Sequence, residues 1–222
     1  PNKVYIVGYS AGGDGVYQLA PRMADRFAGA GMMAGHPNET VPDGLRNTAF
    51  ALHVGGEDSA YDRNKIGAEW KEKLAVLLQD DPDGYTHQAV VHEGKGHWMD
   101  REEAVALDWL SKFERTPNPR KIVWVQDDVL HNQFYWLGVD DPKARTKIIA
   151  SIEGQTITIH KSDVQKMTVY LNDEMLDLEQ PVILEYKNIK LDTKLLRSRA
   201  VIQKTLRDPK DYYTAEFNFE LP

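Results

Sequence analysis

Residues 4–15, Val-Tyr-Ile-Val-Gly-Tyr-Ser-Ala-Gly-Gly-Asp-Gly, leave the backbone few paths. The apolar, β-branched and aromatic run at 4–7 reads as a strand, and the residues beyond Gly12 open a helix-like stretch. Between them Gly8-Tyr9-Ser10-Ala11-Gly12 must turn sharply. Small residues at Gly8 and Gly12 are expected where strand and helix pass close, because side chains there would collide. Such a turn presents the Ser10 hydroxyl at a strand end, beside helix N–H groups that carry a positive dipole end. Gly-x-Ser-x-Gly arises by chance in about one chain in ten of this length. The strand before it and the helix after it therefore carry the argument.

The rest of the first half alternates strands and helices, the pattern of a parallel sheet covered on both faces. Strands are expected at 4–7, 28–34, 48–54 and 87–92, and helices at 13–26, 62–79 and 101–113. In the second helix Ile66, Trp70, Leu74 and Leu77 recur at helical spacing, and Asp62 stands where a cap belongs. The stretch 114–120, Glu-Arg-Thr-Pro-Asn-Pro-Arg, reads as a linker. We place domains at 1–115 and 116–222.

Beyond the linker the pattern changes. Short β-runs begin at Ile122, Phe134, Ile148, Thr156, Met167, Val182 and Ala215, with one helical interruption near 197–206. About seven strands in a hundred residues suggest an immunoglobulin-like β-sandwich. Net charge is −7, and no basic stripe supports nucleic-acid binding. No apolar run is long enough to span a membrane. With no cysteine there is neither a disulfide, a thiolate metal site nor a Cys nucleophile.

A serine on such a turn needs a base, and the base needs an orienting carboxylate. The carboxylate should follow a strand end at the carboxyl edge of the sheet. Strand 48–54 leads into Gly55-Gly-Glu-Asp-Ser59, which makes Asp58 the choice. Glu57 and Asp62 are its rivals, and a turn or cap role is the plain alternative. Strand 87–92 leads into Glu93-Gly-Lys-Gly-His-Trp-Met99, where the glycines leave His97 free to turn toward Ser10. His53, His87 and His92 lie in or beside core strands, and His131 and His160 fall in the other domain. Tyr9, His36 and Trp98 are candidates for the pocket wall. No metal-ligand spacing emerges from His92, Glu93 and His97, and no cofactor is expected.

These segments resemble the α/β-hydrolase superfamily, in particular its polyhydroxybutyrate-depolymerase and feruloyl-esterase-like branch. The resemblance rests on Gly8–Gly15, on Met33-Ala-Gly-His-Pro-Asn38, on Gly55-Gly-Glu-Asp58 and on Gly94-Lys-Gly-His-Trp98, within residues 4–113. It implies a Ser10–Asp58–His97 triad, one oxyanion donor at the Ala11 N–H, and a second donor from a loop after an earlier strand. It implies an ester-bearing small molecule or polymer as substrate. A peptidase of the same fold is the nearest alternative. A non-catalytic scaffold whose β-sandwich binds polysaccharide through Trp124, Tyr135 and Trp136 is another. In this superfamily several strands precede the serine strand, yet only three residues precede strand 4–7 here. The expectation is the C-terminal part of a catalytic domain with strand 4–7 at a sheet edge. Such an edge is open to pairing with a second copy or with a preceding segment.

Overall fold

The computed structural model describes residues 2–207 and 211–222. The chain divides into two compact units, Pro1–Thr116 and Pro117–Pro222.

In the first unit a four-stranded parallel sheet is built from β1 (Tyr5–Tyr9), β2 (Gly29–Met33), β3 (Ala49–Gly55) and β4 (His87–His92), in that spatial order. Its helices are α1 (Ala11–Arg22), α2 (Arg63–Asp80) and α3 (Val105–Leu110). Strand alternation sorts the side chains to two faces. Phe50, Leu52 and Val54 of β3 join Val16, Tyr17 and Ala20 of α1 and Trp70 and Leu74 of α2 in one cluster. Ala49 and Ala51 point the other way, to Met99, Ala106 and Leu110. Small residues suit that face because α3 lies close: a Cβ at Gly29 or Gly31 would meet the Leu110 side chain. Both faces of β2 and β3 are covered, so every residue of these strands is buried. β1 pairs only with β2 in this sheet, and its Val7 is 47% exposed.

Local backbone chemistry moves several helix bounds. The first helix starts directly after Ser10 and stops at Arg22, not 26. Asp62 occupies the cap position of α2 without capping it, since its backbone is left-handed and its carboxylate pairs with Lys65 Nζ at 2.7 Å. The expected helix 101–113 shrinks to a 3-10 turn and the six residues of α3. Asp100 and Arg101 both have positive φ, which a right-handed helix cannot accommodate.

The second unit contains two sheets. One is mixed, in the order β12 (Ile189–Thr193), β11 (Val182–Tyr186), β9 (Thr156–Ser162), β8 (Lys147–Glu153), β5 (Lys121–Val125); only the β9–β11 pair is parallel. The other is antiparallel, in the order β13 (Ala215–Glu220), β10 (Lys166–Leu171), β7 (Leu137–Gly138), β6 (Gln133–Phe134). Helix α4 (Arg199–Thr205) begins at Ser198, whose hydroxyl accepts the Ala200 N–H. The run beginning at Phe134 is a tight hairpin and not one strand, because Tyr135 turns through positive φ. Trp124, Tyr135 and Trp136 are at most 2% exposed. They therefore offer no stacking surface to a polysaccharide. No helix among the described residues is long and apolar enough to cross a membrane.

Candidate active site

Ser10 sits at φ 56° and ψ −120°, a left-handed conformation that a serine adopts only under constraint. Its neighbours supply that constraint. The Ser10 N–H donates to Met33 O at 2.9 Å, tying the turn to the end of β2, and its carbonyl accepts the Asp14 N–H at 3.0 Å. A Cβ at Gly8 would overlap the Gly12 carbonyl. Gly12 itself has open space around its Cα, contrary to expectation. The crowded partner is Gly13, where a Cβ would press on Met33 O and Gly35. Gly12 is one residue too early on the helix to face the sheet.

From this turn the hydroxyl meets His97, with Oγ 3.1 Å from Nε2. The other ring nitrogen, Nδ1, lies 2.8 Å from Asp58 Oδ2. A carboxylate at Nδ1 fixes the proton there and leaves Nε2 free to accept from the serine hydroxyl. The Asp58 side chain is 2% exposed, and Arg63 NH1 approaches its other oxygen at 3.6 Å. Glu57 is exposed and Asp62 is engaged by Lys65, so neither rival reaches the imidazole.

The loops that carry Asp58 and His97 are joined through the main chain. Gly56 N–H donates to His92 O and Glu57 N–H to Lys95 O, each at 2.8 Å. They lie so close that a Cβ at Gly55 would overlap Gly96 O. On the side of the serine turn, Tyr9 Oη donates to His97 O at 2.6 Å. Burial raises the Tyr9 phenol above its ordinary range and keeps it a donor. The Tyr9 ring stacks on Trp98 at 5.1 Å between centroids, and Trp98 is 72% exposed beside the site.

Ala11 opens α1, where the first N–H groups have no partner within the helix. His36 lies elsewhere in the hydrogen-bond network. Its N–H donates to Asp14 Oδ1 at 2.7 Å and its Nδ1 accepts from Asn38 at 3.0 Å. Among the described residues no hydrogen bond links it to Ser10, Asp58 or His97.

The sequence reading sets His53 and His92 aside and gives Arg63 and Glu102 no role. His53 and His92 fell in strands and looked like core. Arg63 looked like the first residue of an ordinary helix. The local signal available for Arg63 is its place five residues after Asp58, at the start of α2. Among the described residues no group of His, Asp and Glu side chains is arranged to hold a metal ion. The chain matches no protein-family model, and no curated protein matches it.

Proposed function

We propose that this chain carries the nucleophile, base and orienting acid of a serine hydrolase of α/β-hydrolase type, acting on an ester. The observation that carries the reading is the unbroken series Ser10–His97–Asp58, starting from a serine held at positive φ on a strand-to-helix turn. Ser10 Oγ attacks the ester carbonyl while His97 Nε2 takes the hydroxyl proton. Asp58 holds the ring and offsets the imidazolium charge. The Ala11 N–H donates to the oxyanion. The carbonyl–oxygen bond to the leaving alcohol then breaks, and the alcohol departs with the proton from His97. Water attacks the acyl carbonyl as His97 takes one of its protons; the bond from the acyl carbon to Ser10 Oγ then breaks, Oγ takes the proton back from His97, and the carboxylic acid leaves. In the same reading the second unit is an immunoglobulin-like sandwich appended to the hydrolase sheet.

The test is covalent labelling by a fluorophosphonate probe together with turnover of a p-nitrophenyl ester, in wild type and Ser10→Ala. Labelling and turnover in wild type, both lost in the variant, support the reading. Turnover of a peptide anilide in preference to the ester points to the peptidase instead. A wild type that neither labels nor turns over counts against the hydrolase reading and for the scaffold.

A further inference from the structure

Behind the base loop lies a polar chain that the triad chemistry does not use. His53 of β3 is fully buried, on the face that β3 otherwise lines with Ala49 and Ala51. Its Nδ1 is 3.0 Å from Nε2 of His92, the last residue of β4. Nδ1 of His92 is 3.1 Å from Glu102 Oε2. The other Glu102 oxygen holds Lys95 Nζ at 2.9 Å, and Lys95 also meets Asp100 at 2.9 Å. The chain thus runs from the sheet interior into the loop that bears His97.

We propose that His92, clamped between His53 and Glu102, is a positioning residue that holds loop 93–97 where His97 reaches both Ser10 and Asp58. Its catalytic consequence rests on the hydrolase reading above. One observation and one physical argument support the role. The His92 carbonyl accepts from Gly56 N–H at 2.8 Å and from Lys95 N–H at 3.2 Å, so one residue fastens the acid loop and the base loop together. A buried pair of imidazoles also costs desolvation that an apolar pair would avoid, and what it returns is a fixed geometry.

The charges around His92 favour that geometry. Its titratable and charged neighbours are His53 from β3, Glu102 from the turn before α3, and Lys95 with Asp100 from the loop; Gln88 Oε1 lies 3.4 Å from the far nitrogen of His53. Lys95, with help from His92, holds the Glu102 carboxyl below its usual range. An ionised Glu102 requires a donor at His92 Nδ1. His92 Nε2 and His53 Nδ1 then share one proton, which locks the His92 ring.

The experiment uses the full chain with ¹⁵N-labelled histidine, as wild type, Glu102→Ala, Glu102→Gln and His92→Ala, with the His97 signals assigned by His97→Gln. Ring spectra report which nitrogen of His97 carries the proton. In wild type His97 is expected as the Nδ1–H form. In Glu102→Ala and His92→Ala it becomes a mixture of tautomers, and kcat for the ester falls about 10- to 100-fold with KM nearly unchanged. Glu102→Gln keeps an acceptor for His92 and recovers most of both readouts. His97 spectra identical in wild type and Glu102→Ala overturn the proposal, as does an unchanged kcat where wild type is active. The Glu102 side chain is 50% exposed, so Glu102→Ala decides the matter if His92→Ala does not fold. If wild type shows neither turnover nor labelling, the hydrolase reading fails, and the ring spectra alone still decide whether His92 positions His97.

Discussion

Two serine–histidine hydrogen bonds stand among the described residues, and the shorter one is in the poorer place for chemistry. In the second unit Ser151 Oγ lies 2.7 Å from His160 Nε2, against 3.1 Å for Ser10 and His97. Ser151 sits in the middle of β8, and its backbone is not among those with positive φ. Among the described residues no hydrogen bond joins His160 to a carboxylate. Burial and then the nearby Lys121 charge lower the His160 pKa, so its imidazolium is disfavoured where a general base must form one. Ser10 has a constrained turn, a helix N-terminus and a buried carboxylate behind its histidine. In the hydrolase reading, that surrounding frame is what separates a nucleophile from a cross-strand hydrogen bond, and the Ser–His distance says little by itself.

The largest effect should come from exchanging the two serines for alanine in turn. Ser10→Ala should lower ester turnover by about 10⁴-fold or more and abolish fluorophosphonate labelling, while Ser151→Ala leaves both at wild-type values. Labelling that survives Ser10→Ala and vanishes in Ser151→Ala would falsify the contrast outright. Next in size is the carboxylate. Asp58→Asn should cost about 10³- to 10⁴-fold in kcat, because a neutral amide no longer enforces the Nδ1–H tautomer or offsets the imidazolium. A loss of tenfold or less would mean that the frame around His97 matters no more than the bare pair at His160.

The turn itself can be tested by stability. Gly8→Ala places a methyl group against the Gly12 carbonyl and should destabilise the first unit by about 3 kcal/mol. Gly12→Ala meets open space inside a helix and should be neutral or stabilising by about 0.5–1 kcal/mol. Urea unfolding of the two variants measures both, and equal midpoints would remove the tight packing argued for the elbow.

The last prediction concerns protons. Burial, reinforced by His92, lowers the His53 pKa from 6.5 to about 4. Between these values the unfolded chain binds a proton that the folded chain resists, so stability falls as the solution is acidified. The loss begins near the unfolded pKa and is complete at about 4. Between pH 7 and pH 5 it amounts to about 2 kcal/mol. Denaturant midpoints at the two pH values should show this decline in wild type and a smaller one in His53→Gln. A decline of the same size in His53→Gln assigns the proton elsewhere.

How much of this was legible in the sequence depends on how local each signal was. Ser10, Asp58 and His97 each follow a strand end within a few residues, and strand-end position with turn chemistry singles them out. The four strands of the parallel sheet were legible for the same reason, since apolar runs bounded by glycine and polar turns mark them. The crowding of the elbow was read one glycine off, at Gly12 instead of Gly13, because that contact is with the end of β2 some twenty residues away. Helix 101–113 was overestimated, since nothing in Asp100-Arg101 announces positive φ. The hairpin at 133–138 was hidden inside an aromatic run that looks like one strand. β12 is absent from the sequence reading although Ile189-Lys-Leu-Asp-Thr193 alternates apolar and polar, because only two large apolar residues mark a strand that stays largely exposed. The His53–His92–Glu102 chain had no sequence signal, because its members come from β3, β4 and the turn before α3.

The main-chain clasp at Gly55–Glu57 and His92–Gly96 has a consequence for how such a site can change. Acid and base ride on two loops that share hydrogen bonds and have no room between them for a single methyl group. Lengthening either loop at the clasp would carry both residues away from the serine together. Trp98, 72% exposed, packs against Tyr9 and His97 beside the clasp. In the hydrolase reading, changes that leave the shared hydrogen bonds and Gly55 in place keep the geometry of proton transfer, whereas changes at Trp98 reach His97 through Tyr9.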